Sequence, residues 1–134
     1  MTPSKQALQP AGWATPRGYA NGVAATGRQV FVAGMIGWDA QMQFHSDDFI
    51  GQTRQALANV VAVLAEAGAT PAHITRMTWY VTDKRAYLAA GRELGRLYRE
   101  LIGDYTVAMT AVQVTALMED RALVEIEVTA VVPD

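Results

Sequence analysis

The clearest pattern of apolar and polar positions lies near the end of the chain. Between residues 122 and 131 the side chains alternate in two sets, one being Ala122, Val124, Ile126, Val128 and Ala130, and the other Leu123, Glu125, Glu127, Thr129 and Val131. A period of two is typical of a strand with one buried face. We predict that residues 107–117 pair with residues 122–132 in a closing hairpin, and we expect the function to reside there.

A second pair of strands is predicted near the start. Residues 23–25 and 30–35 are short apolar runs separated by four residues, with Gly27 at a position suited to positive φ, which is the pattern of a hairpin. Prolines punctuate the polar stretch before it. We therefore expect residues 1–16 to form a flexible N-terminal segment and residues 17–134 to form a single domain.

Two amphipathic helices are predicted between these strand pairs. Apolar residues recur on one helical face over residues 48–67, and Gly68 follows as a terminating glycine. A second such face runs over residues 88–102, interrupted by glycines. Residues 74–82, between the helices, have the Thr, Trp, Tyr and Val content of a strand. The order ββαβαββ predicts an α+β sandwich with two helices on one face of a single sheet.

The other face of that sheet has no predicted cover. The apolar residues expected there are Met77, Trp79 or Tyr80, Val107 or Val112, and Val131. This is more apolar surface than a monomer normally leaves in water. We therefore expect the protein to associate with itself.

Composition narrows the classes of function. The chain has 134 residues, 51% of them apolar, and no cysteine, so one continuous core is expected without disulfides or thiolate metal sites. Its 11 basic and 13 acidic residues are scattered and give a net charge of -2, which does not favour a nucleic-acid partner. His45 and His73 lack the spacing of metal ligands, and we predict no metal site.

Nothing in the sequence predicts a membrane partner. No apolar run approaches the ~18 residues that a membrane span needs. The first dozen residues lack the apolar block of a secretion signal. We expect a soluble, cytoplasmic protein.

Four segments resemble the RidA family, also called YjgF/YER057c/UK114. They are YANGV at residues 19–23, VFVAGMI at 30–36, QTRQALAN at 52–59 and VEIEVTA at 124–130. The resemblance covers about residues 17–132 in the family's order and spacing. It implies a chorismate-mutase-like fold and a homotrimer with small-molecule sites in clefts between subunits. It also implies hydrolysis of enamines and imines such as 2-aminoacrylate, with no metal and no organic cofactor.

The resemblance assigns site residues position by position. Tyr19 and Glu125 match the family's tyrosine and carboxylate and are the implied catalytic residues. The substrate-binding arginine falls on Met109 and the asparagine of the second helix on Gly91, while the Ser-Gly-Gln strand reads Ala33-Gly34-Met35. The full set predicted to line the substrate cleft is Ala33, Gly34, Met35, Trp38, Gly91, Met109 and Gln113.

The missing arginine changes the expected ligand. A guanidinium holds a carboxylate through two parallel charge-assisted hydrogen bonds, which methionine cannot reproduce. A site with Met109 and Met35 should reject a small 2-imino acid and accept a larger, less polar ligand, because methionine adapts to irregular apolar surfaces. Arg17 is a candidate replacement cation, and a solvated surface arginine is the alternative interpretation.

Each candidate residue also has a structural interpretation. Glu125 is either a general base or a solvated residue on an alternating strand, and Tyr19 is either an orienting hydroxyl or an aromatic packed at the core edge. Trp38 either walls the cleft or anchors a loop. Gln113, on the strand face of Met109, either points into the cleft or is a structural polar group.

Three functions follow from these observations. The first is hydrolysis of an enamine or imine other than a simple 2-imino acid. The second is a non-catalytic trimer that binds a small molecule. The third, an endoribonuclease or translation inhibitor, is disfavoured because the chain has no basic stripe.

Overall fold

The structure is a computed structural model that describes residues 5–134. The α+β class predicted from the sequence is confirmed. The strands are β1 (Lys5–Leu8), β2 (Gly22–Ala25), β3 (Arg28–Ile36), β4 (Ile74–Val81), β5 (Ala108–Gln113) and β6 (Val124–Val132). The helices are α1 (Phe49–Glu66), α2 (Lys84–Ala89) and α3 (Gly91–Leu101), and a short 3-10 turn (Pro71–His73) precedes β4.

The main sheet has four strands in the order β3-β6-β4-β5. β6 is antiparallel to both of its neighbours, and β5 runs parallel to β4 at the edge. The predicted closing hairpin is therefore wrong, because β4 lies between β5 and β6. The link between them crosses the end of β4, where Val114 N–H donates to Val81 O and Thr82 N–H donates to Leu123 O. A link of this length does not constrain its two strands to pair, as a tight turn would.

The predicted first hairpin is also wrong. β2 pairs with β1 rather than with β3, in a register that matches Lys5 with Ala25 and Leu8 with Gly22. Gly27 does adopt positive φ, at 146°, and a Cβ there would lie 2.1 Å from Val132 O. The chain therefore turns at Gly27 from one sheet into the next, where no side chain fits.

The segment predicted to be flexible contains strand β1. Residues 5–8 belong to it, whereas residues 1–4 lie outside the described residues. Lys5 holds this strand to the domain, because its Nζ donates to Ala72 O, Ile74 O and Asp104 Oδ2 at 2.9, 3.0 and 2.6 Å. Sequence analysis missed β1 because a strand of only four residues is too short to show an apolar period.

The helices cover one face of the main sheet, as predicted. Asp48 precedes α1 as its N-cap, and its carboxylate accepts from Gly51 N–H at 3.1 Å; Gly68, with φ of 71°, follows the other end. The second predicted helix is divided into α2 and α3 at Ala90. The fully buried side chains of the core include Leu57, Val60, Leu64, Ile74, Met77, Val107, Val124 and Ile126. No helix within residues 5–134 is long and apolar enough to cross a membrane.

The open face of the sheet is more polar than predicted. The alternation of β6 is confirmed, and Val112 lies on the open face with 41% exposure, but Met77, Trp79 and Val107 lie on the buried side. β4 places Tyr80 on the open face instead, where its hydroxyl donates to Glu127 Oε1 at 2.6 Å. Phe31 is the most exposed large apolar residue of this face, with 71% exposure. The need to cover apolar surface on this face is therefore a weaker reason for self-association than the sequence indicated.

Candidate functional site

A cleft of about 360 Å³ opens at the β5 edge of the sheet, on the side of the helices. We call it the edge cleft. Its lining comes from the segment 17–19, from β4 and β5, from α2 and α3, and from the residue Tyr105 before β5. The lining side chains are mainly aromatic or aliphatic, and the single charged one among them is Arg17. Such a cleft suits a small ligand with a largely apolar body.

Three of the predicted site residues meet in the edge cleft: Tyr19, Gly91 and Met109. Tyr19 is held beside β5 because Ala20 N–H donates to Val107 O at 2.8 Å. Met109 lies opposite Met77 in the register of β4 and β5, so it belongs to the helix side of the sheet. Three site residues implied by the resemblance, distant in sequence, therefore line one cleft.

Gly91 leaves space in this cleft. It is the first residue of α3, and a Cβ built there would meet no atom within 4 Å. Neither close packing nor positive φ requires glycine at this position. The absence of a side chain at Gly91 thus enlarges the edge cleft rather than supporting the fold.

One wall of the edge cleft is a stacked pair of tyrosines. The rings of Tyr98 and Tyr105 are 4.9 Å apart at an interplanar angle of 9°. Tyr98 Oη donates to Asp104 O at 2.8 Å, and burial together with the Asp104 charge raises the pKa of Tyr98. Burial opposes ionisation of Asp104, but hydrogen bonds from Lys5 and Thr106 outweigh it and lower its pKa. The wall is therefore fixed by a chain of hydrogen bonds that ends at strand β1.

The opposite part of the lining combines Trp79 and Tyr87. Trp79 is 3% exposed, and the Tyr87 ring meets it edge-on with centroids 6.1 Å apart. Burial raises the pKa of Tyr87. Trp79 Nε1 is the one buried side-chain nitrogen or oxygen within residues 5–134 that has no hydrogen-bond partner. Sequence analysis missed these aromatic lining residues, because it expected Trp79 or Tyr80 on the uncovered face of the sheet, and the helical period identifies Tyr98 only as core.

Three predicted residues lie on the open face or its strand edge instead of in the cleft. The Glu125 side chain covers Gly34, where a Cβ would lie 2.7 Å from Glu125 Cδ. Ala33 borders a second hollow, of about 390 Å³, with Arg76 and Glu127 in its lining. Within one chain, then, Glu125 does not face Tyr19 across the edge cleft.

A bulge in β3 separates Met35 from its predicted neighbours. The register with β6 shifts between Val32 and Met35, and Met35 then lies opposite Ile126. Met35 consequently packs against the hydrophobic core. An extra residue in a strand reverses the faces of the residues that follow it, and a pattern of single letters does not reveal such a bulge.

The two remaining predicted residues make structural contacts. Trp38 packs on Phe44 with ring centroids 5.8 Å apart. Gln113 Oε1 accepts the Lys84 backbone N–H at 2.7 Å, at the first residue of α2. Neither lines the edge cleft, whereas Arg17, the candidate replacement cation, does. Within residues 5–134 no three metal-binding side chains come together, so we assign no metal ligands.

Comparison with known proteins decides the family. The model of a family described as endoribonuclease L-PSP matches residues 10–132. The chain belongs to this family, the RidA/YjgF family. Its resemblance to RidA proteins in four sequence segments is thereby confirmed over nearly the whole chain.

Relatives of known sequence and structure agree with this assignment. A RutC family protein of Pyrococcus abyssi is 31% identical over 105 residues, which are 78% of this chain and 79% of the relative. The Rid family protein YyfB of Yersinia pestis, of unknown function, has a TM-score of 0.78 at 31% identity and covers 96% of this chain and 99% of its own. TdcF of E. coli, solved with bound serine, has a TM-score of 0.69 at 27% identity, with coverages of 95% and 98%.

Proposed function

We propose that this RidA family protein hydrolyses the C=N bond of a small, largely apolar imine or enamine bound in the edge cleft. The observation that carries the proposal is the convergence of Tyr19, Gly91 and Met109 on one cleft. These positions correspond to three polar contributors of the family's site, of which the tyrosine is retained. We infer that the location of the site is kept and that the chemistry of its lining has changed.

The lining supports a ligand without a tightly held carboxylate. TdcF binds serine, which carries a carboxylate, whereas here Met109 stands where the family has its arginine. The remaining cation, Arg17, is exposed at the mouth, where an ion pair with a ligand is worth little. Aromatic and aliphatic contacts with the lining would supply most of the binding energy.

The reaction needs a base that the lining of one chain does not contain. Water adds to the C=N carbon, a proton reaches nitrogen, and the carbinolamine then releases ammonia to leave a carbonyl group. We assign proton transfer to Glu125 and orientation of the substrate or water to the Tyr19 hydroxyl. Because Glu125 lies on the open face, we propose a homotrimer in which Glu125 of a second copy completes the cleft. We further propose that this cysteine-free enzyme acts in the cytoplasm.

A pair of substrates tests the proposal. One is 2-aminoacrylate, released by a serine dehydratase, and the other is the imine of 2-phenylethylamine, released by a flavin amine oxidase and lacking a carboxylate. We expect the protein to accelerate loss of the second imine over solvent alone, and to act weakly on 2-aminoacrylate. Faster hydrolysis of 2-aminoacrylate than of the imine of 2-phenylethylamine would contradict the proposed specificity.

The alternative is a trimer that binds a small molecule without catalysis. It is favoured by the location of Glu125 outside the edge cleft of its own chain. Saturable binding of 2-phenylethylamine, with no acceleration of the loss of its imine at any pH between 6 and 9, would support this alternative. Light scattering at two protein concentrations tests the assembly, and a monomer at both would overturn the shared-site mechanism.

A further inference from the structure

We propose that Trp79 donates a hydrogen bond from Nε1 to the ligand of the edge cleft, and that this ligand is a small carbonyl compound with an aromatic or branched apolar body. The proposal rests on the proposed function only in taking the edge cleft as the ligand site. It adds a specificity-determining residue and the chemical group that this residue recognises.

The first observation is the unsatisfied indole. Trp79 is only 3% exposed, and its Nε1 has no hydrogen-bond partner. Leaving a buried donor unpaired costs about 1–3 kcal/mol, and nearly all such groups in folded proteins find a partner. A residue that carries this cost while lining a cleft is a candidate to recover it when a ligand binds.

The second observation is the shortage of acceptors around that donor. The lining of the edge cleft contains no carboxylate and no side-chain amide. None of its tyrosine hydroxyls accepts a hydrogen bond from Trp79 Nε1, and those of Tyr98 and Tyr105 are held towards Asp104 O and Gly95 O. A neutral carbonyl oxygen complements such a lining, because it accepts a hydrogen bond and brings no charge that would need a buried cation.

The third observation concerns access. Trp79 Nε1 is closed to solvent, so a ligand oxygen reaches it only when a neighbouring side chain moves. We assign this movement to Tyr87, which packs edge-on against the indole and belongs to a helix of six residues next to the exposed Leu88. Any N–H···π contact between the two rings is weak, so replacing it with a carbonyl hydrogen bond favours the opening.

The test uses two probes of nearly equal shape. Acetophenone carries a carbonyl group where α-methylstyrene carries a C=CH₂ group. In protein labelled with ¹⁵N at the indoles, we expect acetophenone to move the Trp79 Nε1–H resonance downfield, while those of Trp13 and Trp38 stay in place. We expect acetophenone to bind about 5- to 30-fold more tightly than α-methylstyrene, the range for one hydrogen bond of about 1–2 kcal/mol.

A variant provides the second arm. Trp79→Phe should bind both probes with equal affinity, whereas the control Trp13→Phe, at a position that is 63% exposed, should keep the preference. The labelled wild-type measurement stands even if Trp79→Phe folds poorly. An unmoved Trp79 resonance at saturation, equal affinities in the wild type, or a preference retained in Trp79→Phe would each overturn the proposal. A moved resonance without imine hydrolysis would support it and contradict the proposed catalysis alone.

Discussion

The edge cleft and the open face of the sheet differ in how their polar groups are used. In the cleft wall, Tyr98 is tied to Asp104 and Asp104 to Lys5, all with restricted exposure. On the open face, Glu127 accepts from Tyr80, a bond that raises the pKa of Tyr80. One region is a shaped apolar recess, and the other carries the carboxylates.

This difference indicates why a single chain holds only half of the proposed chemistry. A base needs a carboxylate with access to water, and an apolar ligand needs a dry aromatic recess. Placing both in one recess would bury an uncompensated charge, at a large cost in free energy. In the proposed homotrimer the carboxylate comes from a second copy, so one chain can fold without burying that charge in its own recess. The following predictions test this division.

The largest effect is expected for Glu125→Gln. We predict a loss of about 100-fold or more in imine hydrolysis, the range for removing a general base. The affinity of the edge cleft for acetophenone should fall far less than the rate, because the aromatic lining and Trp79, rather than Glu125, are proposed to hold this neutral ligand. Steady-state kinetics and a binding titration on the same preparation measure the two quantities.

A matched control lies two residues away. Glu127 shares the open face with Glu125 and is engaged by Tyr80, so Glu127→Gln should keep most of the hydrolysis. Equal losses in the two variants would show that the face, rather than Glu125 itself, matters for the reaction.

The next effect is expected for Lys5→Met. Lys5 makes three hydrogen bonds and its side chain is 15% exposed. We predict that the free energy of unfolding falls by about 2–3 kcal/mol, because two carbonyls and a carboxylate lose a charged donor. Chemical denaturation measures this loss, and Lys84→Met, at an exposed position on α2, should cost less than about 0.5 kcal/mol.

The ion pair between Lys5 and Asp104 predicts that stability depends on pH. The pKa of Asp104 is lower in the folded chain than its ordinary value. Its contribution to stability is therefore present above the unfolded pKa and is lost as pH falls through the folded pKa. Between pH 5 and pH 2 the wild type should lose more stability than Lys5→Met, and parallel losses would contradict the role of this ion pair.

The sequence predicts the individual helices and strands of this fold better than it predicts which strands pair with each other. The period of β6 and the two helical faces are local properties, and each appears in the structure. Strand order depends on links such as residues 114–123, whose path is set by contacts distant in sequence. Gln52 is one example, since its side chain bonds Arg121 O and Leu123 N at 2.9 and 2.8 Å. Nothing in the local pattern around Gln52 indicates that link.

For the candidate site, matching to the family selected three residues that line the edge cleft but not the rest of its lining. Tyr19, Gly91 and Met109 converge as the resemblance implied, because the family fold fixes their backbone positions. Trp79 and Tyr87 could not be assigned, because an aromatic residue on a buried strand or helix face has the same pattern whether it borders a cleft or fills a core. Their proximity to the space left by Gly91 in the same cleft is visible only in the packed structure.

A smaller effect is expected for Met109→Arg. Its guanidinium would return a bidentate donor to the edge cleft, and a charge-assisted hydrogen bond is worth about 1.5–3 kcal/mol. We predict about a tenfold gain in affinity for serine, and a matching loss for acetophenone, both measured by calorimetry. Val63→Arg, at an exposed position on α1, serves as the control for added charge. Serine affinity raised equally by both variants would show a general effect of charge.

The smallest effect is expected for Gly91→Ala. A Cβ at this position meets nothing within 4 Å, and alanine favours a helix over glycine by about 0.5–1 kcal/mol. We predict a small gain in the free energy of unfolding, together with weaker binding of the bulkier cleft ligands. Gly68→Ala is the opposing control, because φ of 71° strains any residue with a Cβ. If Gly91→Ala lowers the free energy of unfolding, glycine is required at this position by the fold. The interpretation that Gly91 serves to enlarge the edge cleft would then be wrong.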